Sequence, residues 1–391
     1  MTVPHSAEHP SDRSADDTGA IPTVPAAPAT SEEPAEMPRR ALILGESAMA
    51  LDLEQAYKRM GFDTRVGAAS IAEAFYPGII VTSGDAEDTI ETVEEVSQRV
   101  GAVVAPSVEA CRHTADRMAV RKQANEELGL PVLDYEFAAT PQEMHDAVER
   151  IGYPCVVKSP TSKDGEGFSF VHSDADLADA WRSADRGLGQ GAVVERFIDF
   201  DFEVTILAAR SIDPSTGELA TWFCEPIGTR HREGRLVESW QPAPLPEAAM
   251  DNARSIAARI TGALASCGIF SVEMFVSGDD VYFSQVTPRP SRDGLVTFVT
   301  QRINQFDLQA HATQRLPIDS TLISPGAVRF LEGHPSQAAL AAAMAIEEVT
   351  VRMLGDGTLV LATADSAAEA RQRTDEAVRE IYNVDGKPGE N

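Results

Sequence analysis

Residues 153–171 read YPCVVKSPTSKDGEGFSFV, and their order decides the fold. An apolar strand ends in Lys158, a loop carrying Gly165 and Gly167 follows, and the alternating run Phe168-Ser169-Phe170-Val171 forms a second strand. A Walker A loop or a dinucleotide fingerprint places a helix directly after its glycines, because the helix N-terminus supplies the amides and dipole that hold phosphate. Here the helix comes later, announced by the capping pair Ser173 and Asp176 ahead of the apolar face Leu177, Ala180 and Trp181. The unit is therefore a strand-loop-strand flap. A lysine in so apolar a strand is costly to bury unless an anion meets it, which leaves two readings: a phosphate partner, or a stem that snorkels to the surface.

Upstream, residues 41–44 read as a short buried strand, Gly45 as a turn, and 47–60 as a helix with Met49, Leu53, Ala56, Tyr57 and Met60 inward. Strands at 78–82 and 101–105, separated by a helix at 87–99, complete a small α/β layer with parallel strands. A helix through Arg117, Val120 and Leu128 ends at Gly129, and Pro131 opens an extended connection. Beyond the flap, a strand at 192–198 leads into 200–207, which alternates like a half-buried strand. Glu203 in that run is either a site residue or the solvent-facing acid of an amphipathic strand. Residues 238–242, ESWQP, read as a loop, and 246–266 as a long helix.

A chain of 391 residues with 43% hydrophobic content is long enough for two or three domains and a sizeable core. No apolar run approaches the roughly 18 residues a bilayer demands, and the N-terminus lacks the basic-then-apolar pattern of a signal peptide, so the expected location is the cytoplasm. Four widely spaced cysteines without a CxxC pair read as reduced structural thiols. A net charge of −28 argues against nucleic acid and anionic membrane as partners. Residues 1–38 are rich in Pro, Ala, Ser and Thr, lack periodicity and are expected to be a disordered tail. Their seven acids against Arg13 account for only −6, so the folded part carries −22 and an anionic substrate requires local cations.

The densest local pattern is a hairpin, residues 269–276 and 281–287, joined around Ser277-Gly278-Asp279-Asp280. A three-residue loop at 278–280 pairs Ser277 with Val281 and sets Glu273 opposite Gln285. Opposed residues have Cβ atoms roughly 5 Å apart. A carboxylate and an amide oxygen so placed either ligate Mg²⁺ together with phosphate oxygens or simply hydrogen-bond to each other. Pro288-Arg289-Pro290 follows, where the prolines stiffen the approach of a guanidinium.

From about 103 to 332 these pieces resemble the ATP-grasp superfamily, and within it the formate-dependent phosphoribosylglycinamide formyltransferase family. The matching segments are EELGLPVLDYEFA, IGYPCVVKSP, DGEG, VVERFIDFDFEVT, EPIG, ESWQP, GIFSVEMFVSGDDVYFSQVTPRP and DGLVT. The resemblance implies an α/β ATP-grasp fold: an acidic tail at 1–38, a shortened N-terminal α/β domain at 39–110, an ATP-grasp domain at 111–320 with its lid at about 132–198, and a small β-rich C-terminal domain at 321–391. It implies that Arg117 and Lys158 contact ATP phosphates, that Gly165, Glu166 and Gly167 form the lid, that Glu195, Arg196, Phe197 and Ile198 hold adenine, and that Glu203 takes the ribose hydroxyls. Glu273 and Gln285 occupy the Mg²⁺-ligand positions, and with Arg289 they form the catalytic set. Phosphoryl transfer from ATP to formate gives formyl phosphate, which an amine attacks; a homodimer is also implied.

The departures concentrate on the acceptor. The second metal position is glutamate in the family and Gln285 here, and Glu166 replaces a lysine of the family lid. The acceptor loop G-x-G-E-L-G becomes Gly45-Glu46-Ser47-Ala48-Met49-Ala50, and P-E-I-E-A is absent near 82–85. Arg292 replaces the family aspartate, with Asp293 adjacent, and the C-terminal loop with its lysine and Arg-Arg pair shrinks to residues 354–358. Two functions follow: an ATP-dependent ligase joining a small carboxylate to an amine, with an acceptor other than glycinamide ribonucleotide or that acceptor held in a rebuilt site, or a nucleotide-binding regulatory protein without turnover. Gly45, Glu46, Arg292 and Asp293 are the candidate acceptor residues.

Overall fold

A computed structural model of the chain describes residues 39–161, 167–232, 234–355 and 357–386. The expected tail and two of the lid residues, Gly165 and Glu166, lie outside the described residues.

The first sheet is parallel, in the order β2-β1-β3-β4, with β1 Arg40–Leu44, β2 Asp63–Gly67, β3 Ile79–Thr82 and β4 Val103–Ala105. Because side chains alternate across a strand, Ala41 and Ile43 feed one hydrophobic core while Leu42 and Leu44 feed another on the opposite face. The helix Ala48–Arg59 is capped by Ser47, whose side chain accepts from the Ala50 amide, and it buries Leu53, Ala56 and Tyr57. The expected helix through Arg117, Val120 and Leu128 is present, as Arg117–Lys122 continued in a wider turn at Gln123–Glu127, and it is set off from the helix before it. Val108–Ala115 ends at Asp116, which is extended and caps the next helix, Arg117–Lys122, by accepting from the Met118 and Ala119 amides.

The second sheet is antiparallel, in the order β5-β8-β6-β7, with β5 Tyr135–Ala138, β6 Cys155–Lys158, β7 Ser169–Val171 and β8 Ala192–Arg196. Cys155, Val157, Val171, Ala192 and Val194 pack against the helices Pro141–Ile151 and Leu177–Asp185. That leaves the other face to Tyr135, Glu195, Val156 and Phe170, which lie in one row across the four strands. The strand-loop-strand order and the capping box at Ser173 and Asp176 are both present.

The third sheet has nine strands. Its path is β14-β13-β9-β11-β12-β15-β17-β16, with β10 beside β9. The ranges are β9 Phe202–Ile212, β10 Leu219–Phe223, β11 Ile227–Arg232, β12 Arg235–Gln241, β13 Gly268–Ser277, β14 Asp280–Thr287, β15 Gly326–Glu332, β16 Val349–Leu354 and β17 Gly357–Thr363. The expected half-buried strand at 200–207 is buried from Val204 to Ser211. It lies inside the sheet, so Val204, Ile206 and Ala208 feed one core while the other row runs from Glu203 and Thr205 to Leu207 in a second core, and neither row faces solvent throughout. ESWQP is likewise not a loop. Its first four residues end β12, where Glu238, Ser239 and Gln241 are buried and each has a partner. Polar letters there signalled buried hydrogen bonds, which a hydrophobicity pattern does not distinguish from exposure. β15, β17 and β16 continue the same sheet past residue 320.

Candidate active site

Lys158 lies at the end of β6 on the polar face of the second sheet, and an anion does meet it: Glu195 Oε2, 2.8 Å from Nζ. The other oxygen of Glu195 lies 2.9 Å from Arg121 Nη2, and both carboxylate and guanidinium are almost fully buried. Arg117, one helical turn before Arg121, adds its charge to the same group. Burial alone would raise the Glu195 carboxyl, but Arg121, Lys158 and Arg117 outweigh it and hold it down at about 2. Three cations therefore converge on one carboxylate. Arg121 escaped the sequence reading, although its spacing of four from Arg117 was a legible sign of a shared helix face. Of the other residues in that segment, Arg196 is exposed and paired with Asp134 at 2.8 Å. The Phe197 ring meets Phe170 at 4.7 Å, and Ile198 is half-buried. Gly167 closes the flap, its carbonyl accepting from the Ser159 amide at 3.2 Å.

A second constellation lies on the third sheet. Gln285 Nε2 donates to Glu273 Oε1 at 2.5 Å, and the two residues are direct partners across β13 and β14. The pairing was expected, but not by this route. The loop has two residues, Gly278 and Asp279, so Ser277 pairs with Asp280, and a register shift after Glu273 leaves Ser284 unpaired and restores Gln285 to its place. The carbonyl of bulged Ser284 then accepts from Arg121 at 3.1 Å, tying the bulge to the first constellation.

Around Glu273 the acids are dense. Asp293, buried, accepts from Thr205 Oγ1 at 2.7 Å, and Thr205 is the β9 partner of Glu273. Burial and the neighbouring Asp293 push Glu273 up to about 7. Asp293 is also raised, by burial. Glu203 lies two residues before Thr205 and pairs with His231 Nδ1 at 2.8 Å. Burial would lower that imidazole, but the hydrogen bond to Glu203 and the charges of Glu203, Asp293 and Glu273 raise it to about 9. His231 had no sequence signal, since strand pairing alone brings it to Glu203. The oxygens of Glu273, Gln285 and Asp293 suit a hard divalent cation, which would relieve the charge that burial leaves uncompensated.

Arg289 reaches from the Pro288-Arg289-Pro290 turn to the loop after β3. A Cβ on Gly84, whose φ is +94°, would lie 1.9 Å from its Nε, so only glycine admits the guanidinium there. The loop after β1 is closed by Asp85, whose Oδ2 accepts from the Glu46 and Ser47 amides at 2.9 and 2.8 Å. A Cβ on Gly45 would strike Ser83 and Asp85. Arg292 is exposed and lies over the Phe330 ring at 5.5 Å. Asp293, expected at the acceptor, belongs to the acid cluster around Glu273.

A family model described as the ATP-grasp domain matches residues 123–306. A formate-dependent phosphoribosylglycinamide formyltransferase of Corynebacterium efficiens is 41% identical over 375 residues, covering 85% of this chain and 93% of its own length. The protein of that name from Corynebacterium jeikeium is 47% identical over 304 residues, 73% of this chain and 74% of its own. The solved glycinamide transformylase T of Mycobacterium tuberculosis superposes with a TM-score of 0.74 at 30% identity, covering 87% of this chain and 99% of that one. An N5-carboxyaminoimidazole ribonucleotide synthetase solved with ADP, 20% identical with a TM-score of 0.78 over 90% of this chain and 98% of that one, shares the fold. The chain is an enzyme of the ATP-grasp ligase and transferase class, and it belongs to the formate-dependent phosphoribosylglycinamide formyltransferase family.

Proposed function

We propose that this protein uses ATP to activate formate as formyl phosphate and passes the formyl group to an amine. The observation that carries the reading is the division of charge. Lys158 of the second sheet and Arg121 of the helix Arg117–Lys122 close on the buried carboxylate of Glu195, with the charge of Arg117 added from that helix, while the buried acids Glu203, Glu273 and Asp293 gather on the third sheet. A nucleoside triphosphate with a hard cation complements both halves. The names of the two Corynebacterium relatives, both formate-dependent, support formate as the carboxylate.

In this reading Lys158 and Arg117 bind the phosphates, Arg121 holds Glu195 and the Ser284 bulge in place, and Glu203 accepts from the ribose hydroxyls. The segment at 195–198 lies along adenine, with Phe197 and Phe170 forming an apolar wall. Glu273 and Gln285 would hold Mg²⁺, with Asp293 beside them; when bound it neutralises phosphate charge. Arg289, fixed over Gly84, orients the carboxylate and stabilises charge at the acyl phosphate. Because Gln285 is neutral where the family has an acid, metal-dependent binding is weaker than in those relatives.

The acceptor is proposed to be an amine other than glycinamide ribonucleotide. The supporting observation is that the Glu46 and Ser47 amides, which could receive an anion, already serve Asp85. The shortened loop at 354–358 also lacks the family's basic residues. Arg292 is the candidate contact for the acceptor. The test is Mg²⁺-dependent ADP release with formate, with and without glycinamide ribonucleotide and other amines, products being identified by mass. Formate-dependent ADP release supports the activation step, and its absence with every carboxylate favours a nucleotide-binding protein without turnover. Efficient formylglycinamide ribonucleotide formation would restore the family's own acceptor, and Arg292→Ala should impair the true acceptor while sparing ATP binding.

A further inference from the structure

His231 belongs to none of the motifs that mark the nucleotide site, yet its Nδ1 lies 2.8 Å from Glu203 Oε2. Strand pairing builds this contact. Thr229 of β11 is the register partner of Glu203 on β9, and His231, two residues on, falls on the same face. Thr229 Oγ1 donates to the Glu203 carbonyl at 3.3 Å, so one neighbouring strand holds both the backbone and the side chain of Glu203. The β11–β12 register shifts between Arg230 and His231, leaving Val237 without a partner at that level. The two side chains retain 27% and 20% exposure, which sets the pair at the rim of the site within reach of a ligand. A carboxylate with one oxygen engaged by an imidazole keeps the other for a vicinal diol, whereas an untethered glutamate must first be ordered by the ligand.

We propose that His231 is a positioning residue that fixes Glu203 towards the ribose hydroxyls and thereby sets the preference for ribonucleotides over 2′-deoxyribonucleotides. The inference rests on the reading of Glu203 as the ribose acid. Calorimetric titration of the full chain with ADP and with 2′-deoxy-ADP, in the presence of Mg²⁺, tests it. The wild type should prefer ADP. In His231→Leu the preference should fall by about tenfold, the worth of one hydrogen bond to a charged group, through weaker ADP binding with 2′-deoxy-ADP unchanged. His231→Asn, whose amide nitrogen takes the position of Nδ1, should keep the preference. Where His231→Leu does not fold, His231→Gln, whose nitrogen takes the position of Nε2, should show the same loss. A preference retained in His231→Leu or His231→Gln overturns the proposal. Glu203→Ala separates the two levels: lost preference there with retention in the His231 variants removes only the role of His231. Retained preference in Glu203→Ala, or none in the wild type, removes the ribose reading itself.

Discussion

Glu195 shows how one side chain can hold a binding site ready. Its carboxyl drops from an ordinary value of 4.5 to about 2, so the folded state binds its proton less tightly than the unfolded state does. That contribution to stability is complete above about pH 4.5 and is lost as pH falls towards 2. Glu195→Gln should therefore cost roughly 3 kcal/mol at pH 7, because Lys158 and Arg121 lose their shared counter-charge in a buried place. Urea denaturation at pH 7 and again near pH 3 checks this, the gap between variant and wild type narrowing at the lower pH. Gln285→Glu makes the opposite experiment on the third sheet. A second carboxylate across the strand pair from Glu273 should tighten Mg²⁺-dependent ADP binding by about tenfold or more. A flat Mg²⁺ dependence in that variant would make Gln285 a hairpin residue and not a ligand.

At the level of elements, register converts sequence neighbours into a site. The hairpin itself was legible from alternation along both strands, but Glu273 meets Gln285 only because a loop one residue shorter than expected is offset by the extra residue of a bulge. The bulge at Ser284 was not legible, since no residue type announces it, and its carbonyl is what Arg121 uses. The flap around Lys158 was legible from the order of strand, loop and strand. Its partner Glu195 was expected at adenine, and only pairing of β6 with β8 brings its carboxylate to the lysine. The turn holding Arg289 depends equally on the loop after β3. Gly84→Ala would force its Cβ into the guanidinium at a φ of +94°. We expect turnover to drop on the order of 100-fold from a displacement of about 1 Å, with ATP affinity within twofold of wild type. ADP-release kinetics beside calorimetry reads both quantities, and an unchanged turnover number would remove Arg289 from the chemistry.

Across the molecule, the third sheet links the site to the C-terminal segment, and an ion pair between a half-buried arginine and a buried carboxylate holds the last long helix against it. Arg371, from the helix Ala367–Asp385, donates to both oxygens of Glu238 at 2.9 and 3.0 Å and lies 3.8 Å from the centre of the Trp240 ring. Glu238 is fully buried and also meets Arg230 at 2.9 Å. Arg371→Ala should cost about 2–3 kcal/mol in chemical denaturation, and Arg371→Lys should recover little, since an ammonium cannot reproduce the fork or the stacking. Equal stability of the alanine variant would show that Arg230 alone suffices.

By itself the sequence determined the family, the parallel first sheet, the flap around Lys158 and the hairpin that carries Glu273 and Gln285, because local order and alternation are properties of the chain. Tertiary structure alone decided which charges compensate one another. The partnerships of Lys158 with Glu195, of Glu203 with His231 and of Glu238 with Arg371 join separate strands and helices. Composition had left Lys158 to a ligand or to solvent, and ESWQP to a loop. A buried charge is tolerable only where a partner meets it, and that partner is chosen by strand register and helix packing, which bring Arg371 to Glu238 from 133 positions away.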